Sequence, residues 1–196
     1  YGQDDKPTGS RITFVNDTLI TGFRYSSGWA ARQRVYFAMV FSRPLKSWRV
    51  HYGAWQRAPG GADRGWQEPS GSVETKAVLA ALHFGSTGGG KELLIRTGLS
   101  SVSEDGALAN LRAEAPHGDF ERYRREAREA WNRELSRIRI ESRSEAQRRT
   151  FMTAMYHTMI APNLYCDVDG RYRGGDDTVR TAQGFDNATV FSLWDT

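Results

Sequence analysis

The 196 residues suffice for one large domain or one and a half, and 39% hydrophobic with 12% aromatic content supplies a packed core, which excludes a disordered chain. No apolar run approaches the roughly 18 residues that cross a bilayer as a helix, so no membrane span is expected. The net charge of +4 comes mostly from one arginine-dense stretch, Glu121 to Arg149, the one feature that raises nucleic acid as a partner.

The opening "YGQDDKPTGS" starts without methionine and has no apolar signal core, so a removed leader and a trimmed start are both open. Up to about Leu111 the chain reads as all-β. Arg11–Val15, Gln33–Phe41, Trp48–Trp55, Val73–Phe84 and Glu92–Ser100 are short runs rich in Val, Ile, Tyr, Phe and Trp. Gly, Pro and Ser separate them, as in "APGGADRGWQEPSGS" and "GSTGGG". Short strands at this spacing predict a sandwich or barrel rather than a parallel α/β sheet, although "AVLAALHF" is apolar enough for a buried helix.

The period changes after Pro116. Phe120, Tyr123, Ala127, Trp131, Leu135 and Ile138 recur at steps of three and four, which predicts an amphipathic helix. "RIRIE" after it reads as a short extended piece. A second helix starts at Ser142 or Ser144 as N-cap, turns Ala146, Phe151, Ala154, Met155 and Met159 inward, and ends before Pro162. The seam between the two regimes falls between Leu111 and Pro116. Two helices and a hairpin are too little to bury their own apolar faces, and the chain ends on the apolar cluster "FSLWDT". A truncated chain is therefore expected.

Few motifs carry chemistry. "GSTGGGKE" (Gly85–Glu92) fails as a phosphate loop: Glu92 replaces the hydroxyl that would ligate magnesium, and a strand follows in place of a helix N-terminus. It reads as a glycine-rich hairpin turn. "CDVDGRYRGGDD" (Cys166–Asp177) lacks the glycine and glutamate positions of a calcium loop, and Asp169-Gly170 reads as a primed two-residue turn. The arginines of the first helix are interleaved with Glu121, Glu126, Glu129 and Glu134, so a solvated, ion-paired face is preferred to nucleic-acid binding. His51, His83, His117 and His157 are scattered, Cys166 is the only cysteine, and the sequons at Asn16 and Asn187 are at chance level. The tryptophans, Trp29, Trp48, Trp55, Trp66, Trp131 and Trp194, read singly as core. Their faces also suit the C–H surface of sugar rings, with a carboxylate such as Asp195 able to accept from two hydroxyls.

Three segments together resemble the family 92 glycoside hydrolases, exo-acting α-mannosidases. "TGFRYSSGWAARQRVYFAMVFSRP" (Thr21–Pro44) is similar to their strand pair with a Gly-Trp-Ala turn. "TFMTAMYHTMIAPNLYCDVDGRYRG" (Thr150–Gly174) resembles their helix ending in Tyr-His-x-x-x-x-Pro-Asn and the hairpin after it. "GFDNATVFSLWDT" (Gly184–Thr196) resembles their run through Ser-Leu-Trp-Asp-Thr. Ala31, Arg32 and Ala188 depart from the family's pattern. The resemblance implies a mainly β then α chain: a β-sandwich over 1–112, a helical linker over 113–142 and the start of an (α/α)6 catalytic barrel over 143–196. It implies calcium-dependent removal of non-reducing terminal α-linked mannose, α-1,2 by expectation, with inversion. Mannose-containing glycans and the rest of the barrel would be the partners, and the compartment secreted or periplasmic. By the same resemblance Asp195 is a hydrogen-bond partner of the terminal mannose and Trp194 a wall of its subsite. The general acid, general base and calcium ligands are expected beyond Thr196. The alternative is a non-catalytic carbohydrate-binding or scaffold module.

Overall fold

A computed structural model describes residues 5–28, 30–52, 65–86 and 92–189. Eight strands come first: β1 (Lys6–Phe14), β2 (Leu19–Ser27), β3 (Gln33–Phe41), β4 (Ser47–Tyr52), β5 (Trp66–Gln67), β6 (Ser72–Thr75), β7 (Val78–His83) and β8 (Ile95–Ser100). They form two antiparallel sheets, ordered β6-β1-β2-β3-β8 and β5-β4-β7.

The sandwich is clearest in the first strand. In β1, Ile12 and Phe14 point to one face while Arg11 and Thr13 point to the other, the period of two that a pleated strand imposes. The inner faces meet in a core of Ile12, Phe14, Ile20, Phe41, Leu45, Val50 and Val73, with Val78, Ala80 and Leu82 packed against it. Trp48 belongs here, its ring stacked 4.6 Å from Phe14 and its indole N–H donating to the Pro69 carbonyl at 3.0 Å. The ambiguous run Val73–Phe84 is strand, but it divides. β6 pairs with β1 in the larger sheet and β7 with β4 in the smaller. β7 and β8 likewise belong to different sheets, so "GSTGGG" joins the two layers and is not the hairpin turn expected. Residues 87–90 of it lie outside the described residues.

The all-β reading up to Leu111 is corrected by helix α1 (Glu104–Glu114). Ser103 caps it, its hydroxyl accepting from the Gly106 N–H at 3.0 Å, and Glu104 and Asp105 complement the dipole of the first turn. α1 lies on the outer face of the larger sheet, where Ala107 and Leu111 pack on Ala38. Gly98 on β8 permits this approach, because a Cβ there would overlap the Ala107 carbonyl and lie 2.6 Å from Leu111 Cβ. Arg11 and Thr21 hold the helix start by donating to the Glu104 carboxylate, Thr21 at 2.6 Å.

Helices α2 (Phe120–Leu135) and α3 (Glu145–Thr158) follow, then β9 (Arg171–Arg173) and β10 (Val179–Thr181). Asp119 caps α2 and Ser144, not Ser142, caps α3. α3 stops before Pro162 as expected, whereas Arg137–Glu141 is irregular rather than extended. The chain clusters into two compact units: Tyr1–Gly118 with Asp167–Ala182, and Asp119–Cys166 with Gln183–Thr196. In the second, Trp131 meets the Tyr156 ring edge-on at 4.7 Å. Of the α3 residues expected inside, Met155 is buried and Phe151 half-buried, while Ala146, Ala154 and Met159 are exposed. A helix in a pair can cover only the strip facing its partner, so the rest of each apolar face stays open.

Candidate functional site

Trp194 and Asp195 lie outside the described residues, as do Trp29 and Trp55. Asn163–Cys166 and Asn187–Thr189 form a short antiparallel neck, with Leu164 bridged to Ala188. The Tyr165 N–H donates to the Asn187 carbonyl and the Thr189 N–H to that of Asn163, each at 2.8 Å. Cys166 completes the neck: its sulfur accepts from the Asn187 N–H at 3.2 Å.

Between the two sides of the neck the chain makes an excursion, Asp167 to Ala182, which clusters with the sandwich. It opens on a tight turn closed by Gly170 N–H to Asp167 carbonyl and Asp167 N–H to Arg171 carbonyl, both 2.8 Å. Positive φ falls on Gly170 (80°) and not on Asp169, so the expected primed Asp-Gly turn is corrected: Gly170 follows the turn rather than occupying its centre. The strand pair itself is β9 with β10, in register Arg171 to Thr181 and Arg173 to Val179. Its connection is the turn Gly174–Asp177, where Asp177 takes φ 70°.

Asp167 is the buried centre of this excursion, 6% exposed. Ser100 Oγ donates to its Oδ2 at 2.7 Å and Asn110 Nδ2 to its Oδ1 at 2.9 Å. Asn110 in turn accepts from the Val168 N–H at 2.8 Å and donates to the Leu99 carbonyl at 2.8 Å. A buried carboxylate is tolerable only when donors converge on it like this. Gly106 makes room for it: a Cβ there would overlap Asp167 Oδ2 and sit 2.8 Å from Ser100 Oγ. Glycine inside a helix costs about 1 kcal/mol against alanine, and here the carboxylate occupies the space a methyl would need.

A second attachment is ionic. Arg173 donates to the Ser101 carbonyl at 2.8 Å and to the Asp177 carbonyl at 2.9 Å, and Asp177 also pairs with Arg34. The Arg34 guanidinium beside Asp177 holds that carboxyl below its usual range. Arg34 also lies over the Tyr25 ring, 4.9 Å from its centroid, and the Tyr25 and Tyr36 hydroxyls are 2.7 Å apart. Burial, with the hydrogen bond shared with Tyr36, pushes the Tyr25 phenol up to about 12. It stays neutral near pH 7 and is unsuited to act as a base.

The remaining aspartates of the acidic loop are also engaged, Asp169 with Arg171 and Asp176 with Arg180. Among the described residues no three His, Cys, Asp or Glu side chains converge to hold a metal ion. The arginine-rich face is ion-paired as its interleaving predicts: Arg122 with Glu126 at 2.7 Å, Arg124 with Glu121 at 2.8 Å and Arg137 with Glu134 at 2.8 Å. Among the described residues no helix is long and apolar enough to cross a membrane.

Comparison with known proteins matches residues 1–100 to the glycosyl hydrolase family 92 N-terminal domain and residues 106–196 to the glycosyl hydrolase family 92 catalytic domain. The family GH92 alpha-mannosidase BT3965 of Bacteroides thetaiotaomicron aligns over 97% of this chain at 31% identity and a TM-score of 0.83. The same enzyme has also been solved in complex with mannoimidazole. The GH92 inverting mannosidase BT2199 of that organism aligns over 100% of this chain at 26% identity and a TM-score of 0.79. An uncharacterized secreted glycosidase of Arthroderma benhamiae is 38% identical over 84 residues, 41% of this chain. This chain spans only 25% and 27% of the two solved enzymes and 11% of the fungal protein. With one domain model on the sandwich and the other on the residues that follow, the chain belongs to glycosyl hydrolase family 92.

Proposed function

We propose that these residues are the front part of an exo-acting α-mannosidase that releases non-reducing terminal α-linked mannose, α-1,2 in preference, with inversion. The observation that carries the reading is the tandem match of sandwich and catalytic-domain models along one chain, supported by an alignment over 97% of it with a solved α-mannosidase. The mannoimidazole complex of that relative supports a mannose-shaped subsite, and the relative named an inverting mannosidase supports the stereochemistry. In this reading residues 1–112 are the sandwich, 113–142 the linker, and the (α/α)6 barrel opens from 143, with the 167–182 excursion returning to the sandwich.

Inverting hydrolysis needs a carboxylic acid to protonate the leaving oxygen and a carboxylate to activate water on the opposite face, about 6.5–9.5 Å apart. Both are assigned beyond Thr196. Calcium is assigned to the complete enzyme. Among the described residues no three His, Cys, Asp or Glu side chains converge to hold an ion, so the calcium ligands are assigned elsewhere in the enzyme. Asp195 is assigned to accept hydrogen bonds from the terminal mannose and Trp194 to wall its subsite. The name of the fungal relative supports export.

The test is mannose release from an α-1,2-linked mannobiose by the complete enzyme and by its Asp195→Ala variant. Turnover should fall by about 100-fold or more when a substrate-positioning group is lost, with the circular dichroism of the fold unchanged. Full turnover in the variant would remove Asp195 from the site.

A further inference from the structure

Two Asn-x-Thr sequons occur, Asn16-Asp17-Thr18 and Asn187-Ala188-Thr189, and the sequence alone gives them equal standing. The structure separates them. A folded chain carries an oligosaccharide on asparagine only where a bulky, hydrated branch has room and where the carboxamide nitrogen is not committed to the fold.

Asn16 stands in the connection between β1 and β2. Val15, Asn16 and Asp17 are all exposed there. The Val15 and Asn16 N–H groups close the turn by donating to the Leu19 carbonyl at 3.1 and 3.3 Å. The Asn16 side chain folds over its own turn, and its Oδ1 accepts from the Thr18 N–H at 2.9 Å and from the Thr18 hydroxyl at 3.0 Å. Both bonds fall on the carboxamide oxygen, so neither engages Nδ2, the atom a sugar would take. The main chain anchors the turn to the sandwich: the Phe41 N–H donates to the Thr18 carbonyl at 2.9 Å and the Leu45 N–H to the Asp17 carbonyl at 2.6 Å. Asn187 differs in each respect. It is half-buried, its N–H is held by the Cys166 sulfur at 3.2 Å, and its carbonyl accepts from the Tyr165 N–H at 2.8 Å. The Thr189 hydroxyl of that sequon turns to Asn163, whose N–H it accepts at 3.0 Å.

We propose that Asn16 is an acceptor for an N-linked oligosaccharide and that Asn187 is not. The donor class is an oligosaccharide joined through its anomeric carbon to a polyisoprenyl diphosphate. Asn16 Nδ2 forms a bond to that carbon while the bond from the carbon to the diphosphate oxygen breaks. The lipid diphosphate leaves with the bonding pair, and the proton lost from Nδ2 passes to the transferase. The inference is independent of the hydrolytic reaction. It shares with the proposed function only the expectation of export, through which the chain meets such a donor.

The test is mass spectrometry of the complete enzyme secreted from a eukaryotic host. Amidase release of an N-linked glycan converts its asparagine to aspartate, so release in isotope-labelled water marks each occupied site. The peptide holding Asn16 should carry the label and the peptide holding Asn187 should not. Thr18→Ala should abolish the label at Asn16, whereas Thr18→Ser, which keeps the hydroxyl, should retain it. An unlabelled Asn16 in the secreted enzyme overturns the proposal. A label that survives at Asn16 in Thr18→Ala overturns it too, because it reports deamidation rather than a glycan. A label at Asn187 overturns the distinction between the two sites. Mannose release has no part in this readout, so a labelled but inactive enzyme would overturn the mannosidase reading and leave the acceptor site standing.

Discussion

Among the described residues the sandwich unit closes a core of its own and the helical unit does not. Among the described residues, twelve of the thirteen buried hydrophobic ones, from Ile12 to Leu111, lie in the sandwich unit and only Met155 in the helical one. The helical unit instead exposes Phe120, Ile138, Tyr156, Ile160, Leu164 and Phe185. The difference follows from geometry. Two facing sheets bury one side of every strand, whereas two paired helices bury one strip of each. What stabilises α2 and α3 within these residues is therefore mostly local: caps, the Trp131–Tyr156 contact and surface ion pairs.

That contrast is open to attack by substitution. The largest effect should come from Ile20→Ala, at a site 2% exposed between the sheets, with a loss of about 2–5 kcal/mol in urea unfolding. Met155→Ala, in the unit without a closed core, should cost less than about 2 kcal/mol by the same measurement. An equal loss at both sites would erase the distinction.

Gly106→Ala comes next. On an open helix this change stabilises by about 1 kcal/mol, but beneath Asp167 it should destabilise by about 1–3 kcal/mol. A rise in Tm for this variant would show that the carboxylate is not seated where the structure puts it.

The ionic attachment should be visible in pH dependence. The Asp177 carboxyl is held below its ordinary value of 3.8 by Arg34. Its contribution is thus complete above that value and is lost as pH falls through the lower folded one. Stability of the parent chain relative to Asp177→Asn should be constant from about pH 7 to pH 5 and shrink below about pH 4, read by denaturant titration at each pH. A gap that persists at pH 2 would contradict the pairing. The smallest effect belongs to α2: Arg122→Ala breaks an exposed pair, 55% and 51% accessible on its two side chains, and should leave the denaturation midpoint unchanged.

The sequence made the sandwich legible where strands announce themselves by β-branched and aromatic runs, as in Gln33–Phe41, and by turn residues between them. It hid α1, because the buried face of that helix is Gly106, Ala107, Asn110 and Leu111, three of them small or polar, so no apolar stripe appears. The cap Ser103 and the acidic pair Glu104 and Asp105 were the available signal. Leu19–Ser27 does not stand out as a separate strand in the sequence, because Gly22 and the polar Thr21, Arg24, Ser26 and Ser27 dilute its apolar residues. The sheet switch between Thr75 and Val78 left no mark in a run that reads as one strand. Asp167 looked like any acidic loop residue: its partners Ser100 and Asn110 are 67 and 57 residues away, and long-range hydrogen bonds leave no periodicity. Asp195 and Trp194 came from resemblance alone, and they lie outside the described residues.

The most direct measurement is an NMR time course of the complete enzyme with an α-1,2-linked mannobiose, in calcium and again with chelator. The account predicts that β-mannose appears first and mutarotates afterwards, and that chelation abolishes the signal. Initial α-mannose, or no mannose in the presence of calcium, would contradict an inverting mannosidase built on this sandwich.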